Sequence, residues 1–595
     1  MNPDRIRHTA GSASLFAALL AGALPAAAQQ DATPPDLRSI VAMETSDLVG
    51  VVGRYSADRE ALLRRWDVAY SSDRRERLRT FYEGWLQQLD GLDVDGLGLE
   101  GRIDHVLLRS ELRYELELLE REGRLAAQLQ SLVPFISTIA ALQEARRDLA
   151  PVDPREASVV LQDLADEVDH LRTALEASLD ATEGEATVPS PIVALRAARA
   201  VGSLRRDLED WYGHYAGYDP LFTWWAESPY LVVDSALAGY VVFVRERLVG
   251  VGSGGEEPIV GDPIGADAMR SDLEHEMIAY TPEELIAIGE REFAWCEAEM
   301  VRASRDMGFG DDWHAALEHV KTLHVAPGEQ PDLVRDLAWE AVAFLQERDL
   351  LTIPPLAEEV WRLEMMSPEM QKIAPFFLGG EVIQVSFPTD GMAHEDKLMS
   401  MRANNVHFSR ATVHHELIPG HHLQGFMTRR YNPHRRAFGT PFWGEGWALY
   451  WEMRLWDMGF PATAEDRMGM LFWRKHRAAR IIFSLKFHLG EMTPDEAIDF
   501  LVDGVGHERA SATAEVRRSF NGSYSPLYQA AYMIGGMQIR ALHSELVESG
   551  QMTDREFHDA ILQGGTMPIE MVRARLTGEA PSPDFVASWE FDESN

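Results

Sequence analysis

Apolar residues recur along the first half of the chain with a helical period. Leu161, Leu164, Val168, Leu171, Leu175 and Leu179 step by threes and fours, which lines them up on one helix face. Asp153 and Pro154 stand just upstream as an N-cap and first-turn pair. Leu108, Leu112, Leu116 and Leu119 form a second stripe of the same kind. Residues 29–249 therefore read as an N-terminal helical region. Residues 250–267 (GVGSGGEEPIVGDPIGAD) are a Gly/Pro-rich break, read as a loop or linker. Helix resumes at Thr281-Pro282-Glu283-Glu284, a capping box in which Thr281 takes an orphan amide and Glu284 reaches back. Thr493 with Glu496, and Thr553 with Glu556, repeat the device. Glu381 to Pro388 (EVIQVSFP) is the best strand candidate. The pattern predicts a mainly α fold with a small β element, its second region spanning 268–595.

Composition narrows the function classes. Of 595 residues, 46% are apolar, which is ample for large cores and excludes a disordered chain. A lone Cys296 excludes a disulfide framework. Ninety-five acidic residues against 56 basic ones give a net charge of −39. Such a surface repels phosphate backbones and anionic lipid, so no nucleic-acid partner is expected. Residues 1–28 have the layout of a signal peptide: Arg5 and Arg7, an apolar run from Ser12 to Leu24, and Ala26-Ala27-Ala28 before Gln29. The run is too short to span a bilayer. No Cys follows it, so no lipid anchor is expected there. No other stretch approaches 18 uncharged apolar residues. The expectation is a periplasmic or secreted protein with no membrane span; its oligomeric state is not written in the sequence.

The chemistry concentrates in Val413 to Gln424, VHHELIPGHHLQ. Four of the chain's 20 histidines, His414, His415, His421 and His422, flank Glu416 within nine residues. Imidazole is the commonest protein ligand for zinc, and a His-Glu pair sets a ligand beside a general base. The usual pattern needs His at i and i+4, but that position is Pro419. On an unbroken helix His421 would lie about 240° round and about 9 Å along from His415, too far to share an ion. Pro419-Gly420 is where a helix would break or bulge, and a two-residue bulge would restore the geometry. His422 is the rival ligand. Downstream, FWGEGWALYWE sets Glu445 and Glu452 seven apart, facing one way across two turns, with Gly444 and Gly446 leaving room for another element.

The HELIPGHHLQ and EGWALYWE stretches resemble the bacterial domain-of-unknown-function 885 family, whose pattern is HE-x-x-PGHH-x-Q and then EGWA-x-Y-x-E. The resemblance extends to GDPIGADAM and YTPEELIAIG between Gly261 and Gly289, and to TDREFHDAILQGGTMP from Thr553 to Pro568. More remotely, the family is similar to the thimet-oligopeptidase and Taq-type carboxypeptidase zincins. That resemblance implies a large helical zincin-like metallopeptidase holding one zinc ion on His415, His421 and Glu445. Glu452 then stands behind the ligands. Where relatives carry Arg, Asp and Gly-x-His, this chain has Arg480, Ser484, Lys486 and His488. Pro526, Leu527 and Tyr528 stand where relatives have Pro-Gly-Gln.

The expected chemistry is peptide hydrolysis by metal-activated water, with Glu416 as general base. Tyr532 is the first choice to meet the developing oxyanion, with Tyr524, Tyr528 and His488 behind it. Arg480, Arg517 or Arg518 would bind a substrate carboxylate, and His422 would back the ligands or touch substrate. Short peptides are the expected substrate. A non-catalytic metal- or peptide-binding protein on the same scaffold is the alternative, and a helical scaffold without metal is the third reading. Exported protein should begin at Gln29; intact-mass measurement checks this, and a retained Met1 would end the export reading.

Overall fold

Capping boxes and three–four apolar spacing ask for helix, and helix takes up 72% of the described residues against 2% strand. The structure, a computed structural model, describes residues 37–41, 43, 45–180, 189–251, 258–371 and 377–592. The signal-peptide segment 1–28 and the centre of the Gly/Pro-rich break, 252–257, lie outside the described residues. All three boxes form: Thr281 with Glu284, Thr493 with Glu496 and Thr553 with Glu556 each exchange both capping bonds. Asp153 Oδ1 accepts from the Arg155 and Glu156 amides, opening helix Pro154–Asp180. On that helix Leu161, Leu164 and Val168 are buried, while Leu171, Leu175 and Leu179 pack at the margin of the same cluster.

The apolar clusters draw a line inside the first 250 residues. Val52 to Leu119 join the main core, together with residues from Met277 to Ala574. Leu129 to Val249 make a cluster of their own. Arg435 ties the first group to the second half of the chain. It is fully buried and donates to Asp104 (2.7 Å), Glu100 (2.7 Å) and the Gly564 carbonyl (2.7 Å). The helix from Pro220 to Val249 is by length and composition apolar enough to cross a membrane. That departs from the expectation that no such segment exists. Its Phe222, Ala226, Val233, Leu237 and Tyr240 nevertheless lie at 0% exposure inside the second cluster, and Leu221 and Trp224 face outward.

The β element is a parallel pair, β1 (Arg362–Met365) with β2 (Val382–Val385), in register Arg362↔Val382 through Met365↔Val385. Ile383 and Val385 point inward, against Val413 and Leu417 of the histidine segment. Helix Ala464–Leu489 runs through the main core and is buried along most of its length, charged residues included. Helix Pro441–Asp457 crosses helix Tyr528–His543 where Gly446 meets Gly535. A Cβ at residue 446 would sit 2.6 Å from the Gly535 backbone, so the crossing exists only for glycine. Gly444, by contrast, faces open space. Gly446→Ala should destabilise the protein by about 1–3 kcal/mol through overpacking. Thermal or denaturant unfolding measures this, and an unchanged midpoint would contradict the crossing.

Candidate metal centre

The histidine segment is two helices. Helix Val406–Glu416 ends just after His415, and a second helix begins at His421 and runs to Thr428, with residues 417–420 forming the break. Several bonds hold that break. The Gly420 amide donates to the His414 carbonyl (3.0 Å) and the Leu423 amide to the Leu417 carbonyl (3.2 Å). Trp447 Nε1 donates to the Pro419 carbonyl at 2.8 Å. A Cβ at residue 420 would overlap the His415 carbonyl, so glycine is required there.

The break brings His415, His421 and Glu445 together. One ligand atom from each lies within 4.8 Å of the others. Glu445 Oε2 is 3.1 Å from His421 Nε2 and 3.6 Å from His415 Nε2. Tetrahedral ligands at zinc–nitrogen and zinc–oxygen distances near 2.0–2.1 Å are separated by about 3.3 Å, so the donor set fits a zinc ion. His415 Nδ1 donates to Glu452 Oε1 at 2.7 Å, which turns Nε2 toward the centre as a lone-pair donor. The electrostatics call for positive charge at this point. Burial opposes charge on His415, but Glu445 and Glu452 on either side overcome it and push its pKa up to about 9. His421 is raised in the same way against its burial, chiefly by Glu445. Burial pushes the Glu445 carboxyl up, and the two imidazoles more than reverse this, holding it well below the carboxylate range.

Glu416 follows His415 directly, and burial raises its carboxyl. A Cβ on residue 379 would overlap that carboxylate, so Gly379, three residues before β2, lets backbone cover it. His422 turns away: its Nε2 donates to the Ala357 carbonyl at 2.7 Å. His414 donates from Nδ1 to the Arg410 carbonyl (2.8 Å), and burial holds it neutral, down to about 4.

The tyrosines divide. Tyr528 donates its hydroxyl to Glu445 Oε1. The Tyr532 ring lies 6.2 Å from His415, nearly parallel to it, between the guanidiniums of Arg477 (4.6 Å) and Arg480 (4.5 Å). Tyr524 packs on Tyr528 with centroids 4.5 Å apart. Arg480 and Arg518 both donate to Glu515, at 2.7 and 2.6 Å. His488 is set apart, lining a separate cavity with Tyr524. Sequence reasoning passed over Arg477, which lies 3.8 Å from Glu452 Oε1, and over Gly379 and Glu515. The i, i+3 spacing of Arg477 and Arg480 on an apolar helix was the available signal for the first. His543, Asp554 and His558 also gather within ligand distance. There His558 spends Nδ1 on the Leu350 carbonyl and Nε2 on Tyr450, while Arg454 pairs with Asp554, a closed hydrogen-bond network.

A family model described as "Bacterial protein of unknown function (DUF885)" matches residues 49–576. The chain belongs to this family. Among solved structures it is similar to a candidate lipoprotein of unknown function from Shewanella oneidensis, at 16% identity and TM-score 0.66, covering 88% of this chain and 98% of that one. A second candidate lipoprotein, from Colwellia psychrerythraea, is 16% identical at TM-score 0.55, covering 86% and 91%. These likenesses show the DUF885 chain's fold. No curated protein matches. If His415, His421 and Glu445 are the donors, His421→Ala and Glu445→Ala should each lose zinc on dialysis. His414→Ala and His422→Ala should keep about one equivalent, because their rings face backbone carbonyls. Elemental analysis decides, and zinc lost from His422→Ala but kept by His421→Ala would reverse the assignment.

Proposed function

We propose that this DUF885 member is an exported zinc metallopeptidase acting on short peptides. The observation that carries the reading is the convergence of His415 Nε2, His421 Nε2 and Glu445 Oε2 beside the carboxylate of Glu416. Bound there, zinc supplies a Lewis acid that polarises a peptide carbonyl and lowers the pKa of water toward neutrality. Glu416 accepts the proton of the attacking water and hands it to the departing amine. Glu452 fixes the His415 tautomer through the 2.7 Å bond to Nδ1. Tyr532, whose ring lies 6.2 Å from that of His415, is the donor we assign to the developing oxyanion, while Tyr528 spends its hydroxyl on Glu445. His415 is buried, and His421 and Glu416 are partly exposed, which leaves an approach for water and substrate. The signal-peptide layout of residues 1–28, and structural relatives named as candidate lipoproteins, support a site of action outside the cytoplasm.

The test is Glu416→Gln. Hydrolysis of a quenched peptide library should fall by about 10²–10⁴-fold while zinc content stays at the wild-type level, because a base is removed and the ligands remain. Turnover near the wild-type rate would sink the mechanism. A wild-type protein that binds zinc and peptides but cleaves none would support the alternative, a non-catalytic binding protein on this scaffold.

A further inference from the structure

A cavity of about 390 Å³ opens beside the metal centre, between helix Leu99–Leu129, helix Pro191–Tyr215, the C-terminal end of helix Ala464–Leu489 and the 519–526 loop. Tyr524 connects the two places: it lines the cavity and packs on Tyr528, whose hydroxyl is on Glu445. The lining runs against the charge of the whole protein. In a chain of net charge −39, Arg121 and Arg196 line it, and Arg199 stands at its edge, donating to the Asn521 carbonyl at 3.0 Å. One carboxylate, Asp262, is in the lining and is taken by Arg196 at 2.8 Å. Arg121 gives Nη2 to Asp272 (2.9 Å) and the Ala268 carbonyl (3.3 Å), leaving Nη1 unspent. His488 lines the same space at 5% exposure, with its Nδ1 enclosed and bonded to nothing. Burial holds its ring neutral, down to about 4, so it serves as a neutral hydrogen-bond donor.

We propose that this cavity is a subsite for a carboxylate group of the peptide substrate, with Arg121 and His488 as its donors. The proposal rests on the peptidase reading and adds a specificity to it. His488 lies eight residues beyond Arg480, or on the order of 12 Å along the helix axis, and Arg480 is the residue against Tyr532. An extended peptide covers that distance in three to four residues at about 3.3 Å each. The carboxylate is therefore several residues from the cleaved bond, a spacing too long for the removal of single C-terminal residues. It comes either from the peptide's C-terminus or from an acidic side chain.

Both sources can be separated on the zinc-loaded Glu416→Gln protein by calorimetry. The probes are hexa-alanine with a free C-terminus, its C-terminal amide, and the amide carrying one Glu at each position in turn. At least one carboxylate-bearing peptide should bind about tenfold more tightly than the neutral amide, by charge-assisted hydrogen bonds. A preference for the free acid assigns the C-terminus, and a preference for one Glu position assigns the side chain. Arg121→Gln and, separately, His488→Phe, which fills the cavity, should erase the preference while binding of the neutral amide persists. Discrimination measured without either substitution stands even if one variant fails to fold. Carboxylate and neutral peptides bound within twofold of each other would overturn the subsite and leave the peptidase reading intact. No binding of any peptide would overturn both.

Discussion

Everything at this centre depends on one backbone constraint: two histidines six residues apart cannot share a face of a continuous helix. The chain meets it by stopping one helix after His415 and starting another at His421. The break is a built feature. Gly420 fits where any side chain would strike the His415 carbonyl, and the Pro419 carbonyl is capped by the indole of Trp447. Trp447 sits two residues beyond Glu445 on the same helix. The helix that carries Glu445 thus also fixes the gap that brings His421 round to it. That helix in turn is seated by the glycine-to-glycine crossing at Gly446 and Gly535, which puts Tyr528 and Tyr532 across from the carboxylates.

A second consequence is the density of buried charge. Removing charge from water costs several kcal/mol per ion unless partners are supplied. Helix Ala464–Leu489 buries Arg474, Lys475, Arg477 and Arg480, and most have a carboxylate within reach: Glu292, Glu297 and Glu515 in turn for three of them. Arg477 is held less closely, 3.8 Å from Glu452 and with Nε unbonded. It lies where Glu445, Glu452 and Glu416 crowd together, and a guanidinium there offsets their repulsion without taking a ligand atom. Ser484, which stands where the family pattern has Asp, returns its hydroxyl to the Arg480 carbonyl at 2.6 Å. Arg480 finds its counter-charge in Glu515, so the departure leaves no buried cation unpaired at that position.

What was legible in the sequence was local. Capping boxes need only four residues and apolar stripes only a helical period, and both formed as written. The HE…PGHH spacing carried its own contradiction, and the Pro-Gly pair indicated where it had to be resolved. Strand β2 was within reach because its alternation is local, but its parallel partner at Arg362–Met365 is largely exposed, only four residues long and twenty residues away. Arg477 was missed for a similar reason. A lone arginine looks alike on a surface and in a core until the helices around it are assembled. The division of the first 250 residues between two cores also depends on which stripes meet, and stripes do not name their partners.

On the proposed peptidase reading, that division gives the N-terminal region a part in binding the substrate. Helix Leu99–Leu129 is bound into the second half by Arg435, and the 258–265 segment returns to the end of the central helix, where the Gly265 amide donates to the His488 carbonyl at 3.0 Å. Gly261 makes the approach with φ at +71°, tight against Phe487 and Phe520, where a side chain would collide. The region before the Gly/Pro-rich break therefore supplies one wall of the space next to Tyr524, and the region after it carries His415, His421 and Glu445. A peptide lying across the centre would touch both. Its affinity would then be set partly by residues far from the metal motif, where substitutions leave the ligands undisturbed. On the peptidase reading we propose, the HE…PGHH segment would fix the reaction and the N-terminal wall would be free to vary the substrate.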